Sequence, residues 1–121
     1  MVKALFDTNI LLDLIKGVPA SRLELERFED RAISIITVIE VLVGAAPETE
    51  PLERALLTEF DIVALDHDVA EEAARLRRAH RIKLPDAVIW ASARLEGRLL
   101  VTRNTKDFPA GDPGVRHPYV V

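Results

Sequence analysis

Asp7, Glu40 and Asp86 are the residues of this chain best placed to do chemistry, since each acid stands where a helix is expected to begin. Each also has an ordinary structural use. Asp7 can cap a helix by accepting a hydrogen bond from a backbone N–H two or three residues on. Glu40 closes Thr37-Val38-Ile39-Glu40, which has the spacing of a capping box. Asp86, just after Pro85, complements the helix macrodipole. Glu40 and Asp86 lead into the apolar runs Val41-Leu42-Val43 and Ala87-Val88-Ile89-Trp90-Ala91, so neither is expected on a plainly solvated surface. Ionised carboxylates near a core are unfavourable unless paired. Three of them sharing one site raise one another's pKa unless a cation neutralises them. The chain has no cysteine and no paired histidines for a softer metal, so an all-oxygen cluster calls for Mg²⁺ or Mn²⁺. Such ions activate a water and stabilise the charge that builds on a phosphodiester during in-line attack, which makes metal-dependent phosphodiester hydrolysis the natural chemistry of the constellation. The run Thr102-Arg103-Asn104-Thr105-Lys106-Asp107-Phe108 offers more of the same: Asp107 as a carboxylate, Thr102 and Asn104 as holders of a water or as ligands. It reads equally as an Asx-type turn that ends a strand.

These residues need a scaffold that brings them to one place, and the hydrophobic pattern supplies one. Strands are expected over 2–6, 32–37, 61–66 and 98–102, with a short edge strand over 115–120, because Pro118 does not suit a central one. Between them lie helices over 10–16, 20–29, 38–46, 51–59, 68–81 and 86–96. Lys16 and Gly17 close the first helix and Gly97 the last, while Pro85 suits the first helical position. The helix at 38–46 is apolar on nearly every side, which asks for burial on more than one face, by the core and by a surface such as a second subunit. In the helix at 68–81, Val69, Ala73, Leu76 and His80 share a stripe, and Glu71 pairs with Arg75 at i, i+4. Trp90 belongs to the core, Asp13 and Lys106 to the surface, and the three histidines share no metal-ligand spacing. Alternating strands and helices give an α/β fold of three layers: a mostly parallel sheet of four to five strands flanked by helices. Asp7 and Glu40 both follow strands and so fall on the carboxyl edge of that sheet, where ligands bind.

With 121 residues, 49% of them hydrophobic, residues 1–121 read as a single domain with a real core. The absence of cysteine agrees with a reducing compartment, and a cytoplasmic protein is the default. Neither a signal peptide nor a membrane span is expected. A net charge of -4 argues against a general nucleic-acid coat protein but leaves room for an enzyme that acts on nucleic acid.

Four segments carry a resemblance to a known family: Leu5-Phe6-Asp7-Thr8-Asn9-Ile10-Leu11-Leu12, Thr37-Val38-Ile39-Glu40-Val41, Leu84-Pro85-Asp86-Ala87-Val88-Ile89 and Leu100-Val101-Thr102-Arg103-Asn104-Thr105-Lys106-Asp107-Phe108. In this order and separation the chain resembles the PIN-domain ribonucleases, and within them the VapC-type toxins of toxin-antitoxin pairs. The resemblance implies that Asp7, Glu40 and Asp86 are catalytic, metal-binding acids with Asp107 as the fourth. It also implies that Thr8, Asn9 and Thr102 support the site. The family often carries an aspartate where this chain has Asn104, which coordinates or hydrogen-bonds without adding charge. A PIN-like sheet, a homodimer, an RNA substrate and a cognate antitoxin whose C-terminal segment wraps the toxin are implied as well. In the basic run before Asp86, Arg81 and Lys83 are closest to the site and are expected to contact RNA phosphates. The rival readings are a PIN nuclease that is not a toxin, a PIN fold that only binds RNA or a partner, and a phosphoacceptor signalling domain with Asp66 as acceptor and Lys106 as its partner. The last of these expects adjacent acids after the first strand and leaves Glu40 and Asp86 unexplained.

Overall fold

Ala4, Leu5 and Phe6 are wholly buried, so the first strand, β1 (Lys3–Phe6), is covered on both faces, as a central parallel strand must be. The computed structural model describes residues 2–121. After β1 come α1 (Thr8–Lys16), α2 (Pro19–Glu26), β2 (Asp30–Ser34), α3 (Ile35–Val43), α4 (Glu50–Leu57), β3 (Asp61–Val63), α5 (His67–His80), α6 (Leu84–Leu95), β4 (Leu99–Val101) and β5 (Val115–Arg116). The strands form one five-stranded sheet in the order β3-β2-β1-β4-β5, and every neighbouring pair is parallel. The expected α/β architecture is therefore the observed one, with a wholly parallel sheet.

Side chains alternate across β1 and feed two cores. Leu5 points into a cluster with Trp90, Val88, Leu76 and Phe108, which α5 and α6 cover. Ala4 and Phe6 point the other way, toward Ile10, Leu11, Leu25, Phe28 and Val41 of the opposite layer. Trp90 is a core residue, packed edge-on against Phe108 at 5.6 Å between ring centroids.

Several local expectations change. The second strand ends at Ser34 rather than at Thr37, because the Ser34 hydroxyl accepts a hydrogen bond from Ile36 N at 3.1 Å and starts α3 there. Ile35 and Ile36 look like strand residues but lie in the first helical turn. Thr37 is buried inside the helix, the capping box does not form, and Glu40 sits in the second turn of α3. The chain by itself covers only one side of α3, with Thr37 and Val41 buried while Ile39 and Val43 are 52% and 81% exposed. In α4, Leu57 is buried and Leu56 half-buried, but Leu52 faces outward. Arg75 pairs with Glu72 rather than Glu71, since Glu72 is sheltered between Arg75 and Arg94; Glu71 instead meets His67. Leu84, not Pro85, is the first residue of α6. Gly17 and Gly97 take the left-handed conformation (φ 79° and 63°) that ends their helices. Among the described residues no helix is long and apolar enough to cross a membrane.

Candidate functional site

The parallel register brings the carboxyl ends of β2, β1 and β4 side by side, and the residues that follow them meet at that edge. Asp7 is at the centre. Its backbone N–H donates to Val101 O at 2.9 Å, the last step of the β1–β4 ladder, and it then caps α1. The cap bond comes from the adjacent Thr8 N at 2.7 Å, rather than from a residue two or three further on. The second carboxylate oxygen accepts from Thr102 Oγ1 at 2.7 Å and from Asn9 Nδ2 at 3.2 Å. Asp7 is only 4% exposed. Burial pushes its carboxyl up to about 6; the Thr102 and Thr8 hydrogen bonds oppose that rise, and the charges of Asp86 and Glu40 add to it.

Thr8 ties the first helix to the third. Its hydroxyl donates to Glu40 Oε1 at 2.7 Å and lies 2.9 Å from the hydroxyl of buried Thr37. Glu40 itself is exposed, contrary to the expectation drawn from its apolar neighbours, because the second turn of α3 aims it over the edge of the sheet. Asp86 is half-buried in the first turn of α6. Its carboxyl is raised by burial and by Asp107 and Glu40, against the pull of Lys83.

The run after β4 serves both as a turn and as a source of ligands. Asn104 Oδ1 accepts from Lys106 N at 3.1 Å and Asp107 N at 3.0 Å, which makes the Asx-type turn. Asn104 Nδ2 then donates to Asp107 Oδ2 at 2.9 Å, and Asn104 N donates to Thr102 Oγ1 at 3.0 Å, so the turn also delivers Asp107 toward the acids.

Among the described residues none of these four acids forms an ion pair. Nor do any three stand at the reach of a common ion, and the Asp7 oxygens are turned toward Thr8, Asn9 and Thr102. The donor set, oxygen throughout and mutually repelling, fits a hard divalent cation.

A family model of the PIN domain matches residues 4–111. The chain belongs to the PIN-domain family. It is 30% identical over 122 residues to the tRNA(fMet)-specific endonuclease VapC of Shigella flexneri, across 89% of this chain and 91% of that protein. A chain of a toxin-antitoxin complex from Klebsiella pneumoniae superposes with a TM-score of 0.93 at 47% identity, covering 98% of this chain and all of that one. A chain of FitAcB from Neisseria gonorrhoeae gives a TM-score of 0.80 at 28% identity, across 95% and 97% of the two chains.

In this PIN domain the rival acceptor site does not assemble. β3 is the outermost strand on one side, and Asp66 beyond it caps α5 by accepting from Val69 N at 2.9 Å. Lys106 leaves β4, on the other side of β1, whereas a receiver-type order would put the acceptor strand between β1 and β4. Lys83 is exposed and close enough to Asp86 to lower its pKa. Arg81, the one non-glycine residue with positive φ (55°) among those described, caps α5 and lines a shallow hollow with Ala74, Arg77, Arg78 and Leu84.

Asp13 departs most from expectation. It is 2% exposed, and its carboxylate accepts from Arg103 Nε at 2.6 Å, Arg103 Nη2 at 3.1 Å and Tyr119 Oη at 2.7 Å. Burial and the Asp13 charge push the Tyr119 phenol up, so it remains a donor. The only sequence signal was one acid inside Ile10-Leu11-Leu12-Asp13-Leu14-Ile15; its partner Arg103 lies 90 residues away.

Proposed function

We propose that this chain is a Mg²⁺- or Mn²⁺-dependent endoribonuclease, the cytoplasmic toxin of a toxin-antitoxin pair, acting as one PIN domain over 1–121. The observation that carries the reading is Asp7, a carboxylate almost out of water, flanked by Glu40 and Asp86 and neutralised by no basic residue. The names of the relatives support the biological setting: an endonuclease that acts on a tRNA, and complexes of toxin with antitoxin.

Asp7, Glu40, Asp86 and Asp107 would hold the metal, with Asn104 supporting Asp107 through its Nδ2 hydrogen bond while its own oxygen is engaged in the turn. When bound, the ion supplies charge neutralisation and activates the attacking water. The chain's own residues do the rest. Thr102 and Asn9 hold one Asp7 oxygen in place, Thr8 N holds the other, and Thr8 Oγ1 fixes Glu40, so the acids are oriented before substrate arrives. Lys83, beside Asp86, and Arg81, two residues before it in the chain, would hold RNA phosphates and leave the site itself acidic. The exposed Ile39 and Val43 of α3 support a homodimer through that helix.

Incubation of the purified protein with RNA and Mn²⁺, with and without EDTA, beside Asp7→Asn tests the reading. Cleavage that needs the metal and the Asp7 charge is expected; cleavage that persists in EDTA, or undiminished in the variant, overturns it. Co-purification with the product of a neighbouring reading frame that suppresses the cleavage tests the toxin assignment.

A further inference from the structure

We infer that Asp13, Arg103 and Tyr119 form a clamp that sets the position of the Thr102–Asp107 turn against α1, and so the spacing between the carboxylates of Asp7 and Asp107. The inference rests on the metal-dependent nuclease reading above. Asn9 and Asp13 are four residues apart and share one face of α1. Arg103 touches both: its backbone N–H donates to Asn9 Oδ1 at 3.3 Å, and its guanidinium grips the Asp13 carboxylate through two nitrogens. The turn is thereby fastened at two points along a single helix face. The residues on either side of Arg103 are those that meet the acids. Thr102 donates to Asp7 and Asn104 to Asp107. A small rotation of Arg103 would move both bonds at once.

The chemistry of the pair suits positioning. An exposed ion pair would hold little, but Asp13 is out of water, and its partner is the planar fork of arginine, which fixes direction as well as distance. Tyr119 adds a third bond to the same carboxylate and draws the chain beyond β5 into the clamp. Arg116 of β5 makes a parallel two-nitrogen grip on buried Glu24 of α2 at 2.5 and 3.0 Å, so the α1–α2 pair is held to β4 and β5 at two stations. Only the Asp13 station is continuous with Asp7. Arg103 is therefore a positioning residue, acting through Thr102 and Asn104.

The test compares wild type with Arg103→Lys, Tyr119→Phe and the double variant Asp13→Asn/Arg103→Gln. Mn²⁺ affinity is measured by calorimetry without RNA, kcat and KM on RNA, and stability by thermal melting. Lysine keeps the charge but not the fork, and the double variant leaves no unpaired charge, so it reports even where Arg103→Lys folds poorly. Mn²⁺ affinity and kcat are expected to fall roughly 10- to 100-fold in Arg103→Lys and the double variant, and less in Tyr119→Phe, with KM for RNA unmoved. A lower melting temperature with unchanged Mn²⁺ affinity and kcat overturns the clamp, since the pair would then be stabilising only. A raised KM with altered salt dependence and unchanged Mn²⁺ affinity overturns it too, since Arg103 would then be gripping RNA. Wild-type protein that binds no Mn²⁺ overturns the nuclease reading itself, a failure visible before any variant is made.

Discussion

Two groups of acids lie at opposite ends of the same parallel sheet, and they are handled in opposite ways. At the amino edge, Asp30 opens β2, Asp61 opens β3 and Glu96 precedes β4, and Arg98 lies among them. It is 9% exposed, bonds Asp30 at 2.7 Å and Glu96 at 2.9 Å, and reaches Ala4 O at 3.4 Å. Its acidic partners hold its pKa above the ordinary value despite burial. At the carboxyl edge, Asp7, Glu40, Asp86 and Asp107 gather with no arginine among them, and Asp7 and Asp86 are pushed up. Where acids serve the fold, the chain provides its own cation. Where it does not, the repulsion is left for something from outside to relieve.

The largest expected effect removes the charge at the centre of the unneutralised group. Asp7→Asn should end single-turnover RNA cleavage, a loss of several kcal/mol or on the order of 10³-fold, and a rate near wild type would dissolve the contrast. Next comes the opposite edge: Arg98→Met should lower stability by about 3 kcal/mol in urea unfolding, because it removes the charge-assisted hydrogen bonds to Asp30 and Glu96, yet leave kcat per folded molecule unchanged. Equal sensitivity of kcat to both substitutions would mean the two edges are not separate in function.

A pH series sharpens the comparison further. Folding raises the Asp7 pKa from 3.8 to about 6, so the folded, metal-free protein holds that proton more tightly than the unfolded chain. The stabilisation is present below about pH 4 and lost as pH climbs through about 6, a change of about 3 kcal/mol. Asp7→Asn lacks this component but keeps the cap, so metal-free Asp7→Asn should be the more stable protein at pH 7 and lose its advantage at pH 4. Equal melting temperatures at pH 7 would count against the burial of an uncompensated charge. The smallest effect is at the rim: Lys83→Glu should raise the Asp86 pKa further and lower the salt slope of RNA binding by about 0.7, the change expected when one phosphate is no longer neutralised. An unchanged slope removes Lys83 from the RNA path.

How legible the molecule was depended on the range of the interaction. The element order followed from runs such as Val2-Lys3-Ala4-Leu5-Phe6 and from the breaks at Gly17 and Gly97, because hydrophobic period and turn chemistry are written within a few residues. The boundary at Ser34 was missed because β-branched Ile35 and Ile36 suit a strand and a buried helix turn alike, and only the serine hydroxyl decides between them. The Glu72–Arg75 pair was missed, with Glu71 expected in its place, because burial of Glu72 outweighs the i, i+4 spacing. Asp13 read as a surface acid for the same kind of reason, since nothing near it announces Arg103 or Tyr119.

By itself the sequence determined which residues are acids at the ends of strands and that a parallel α/β sheet would carry them, since both follow from local pattern. Only the tertiary structure decided that β1 is central, that Asp7 loses its water while Glu40 keeps it, and that Arg98 neutralises one edge and none of its kind the other. Strand order, burial and charge pairing depend on residues far apart in the chain. Their energies exist only once the layers have closed and water has been excluded.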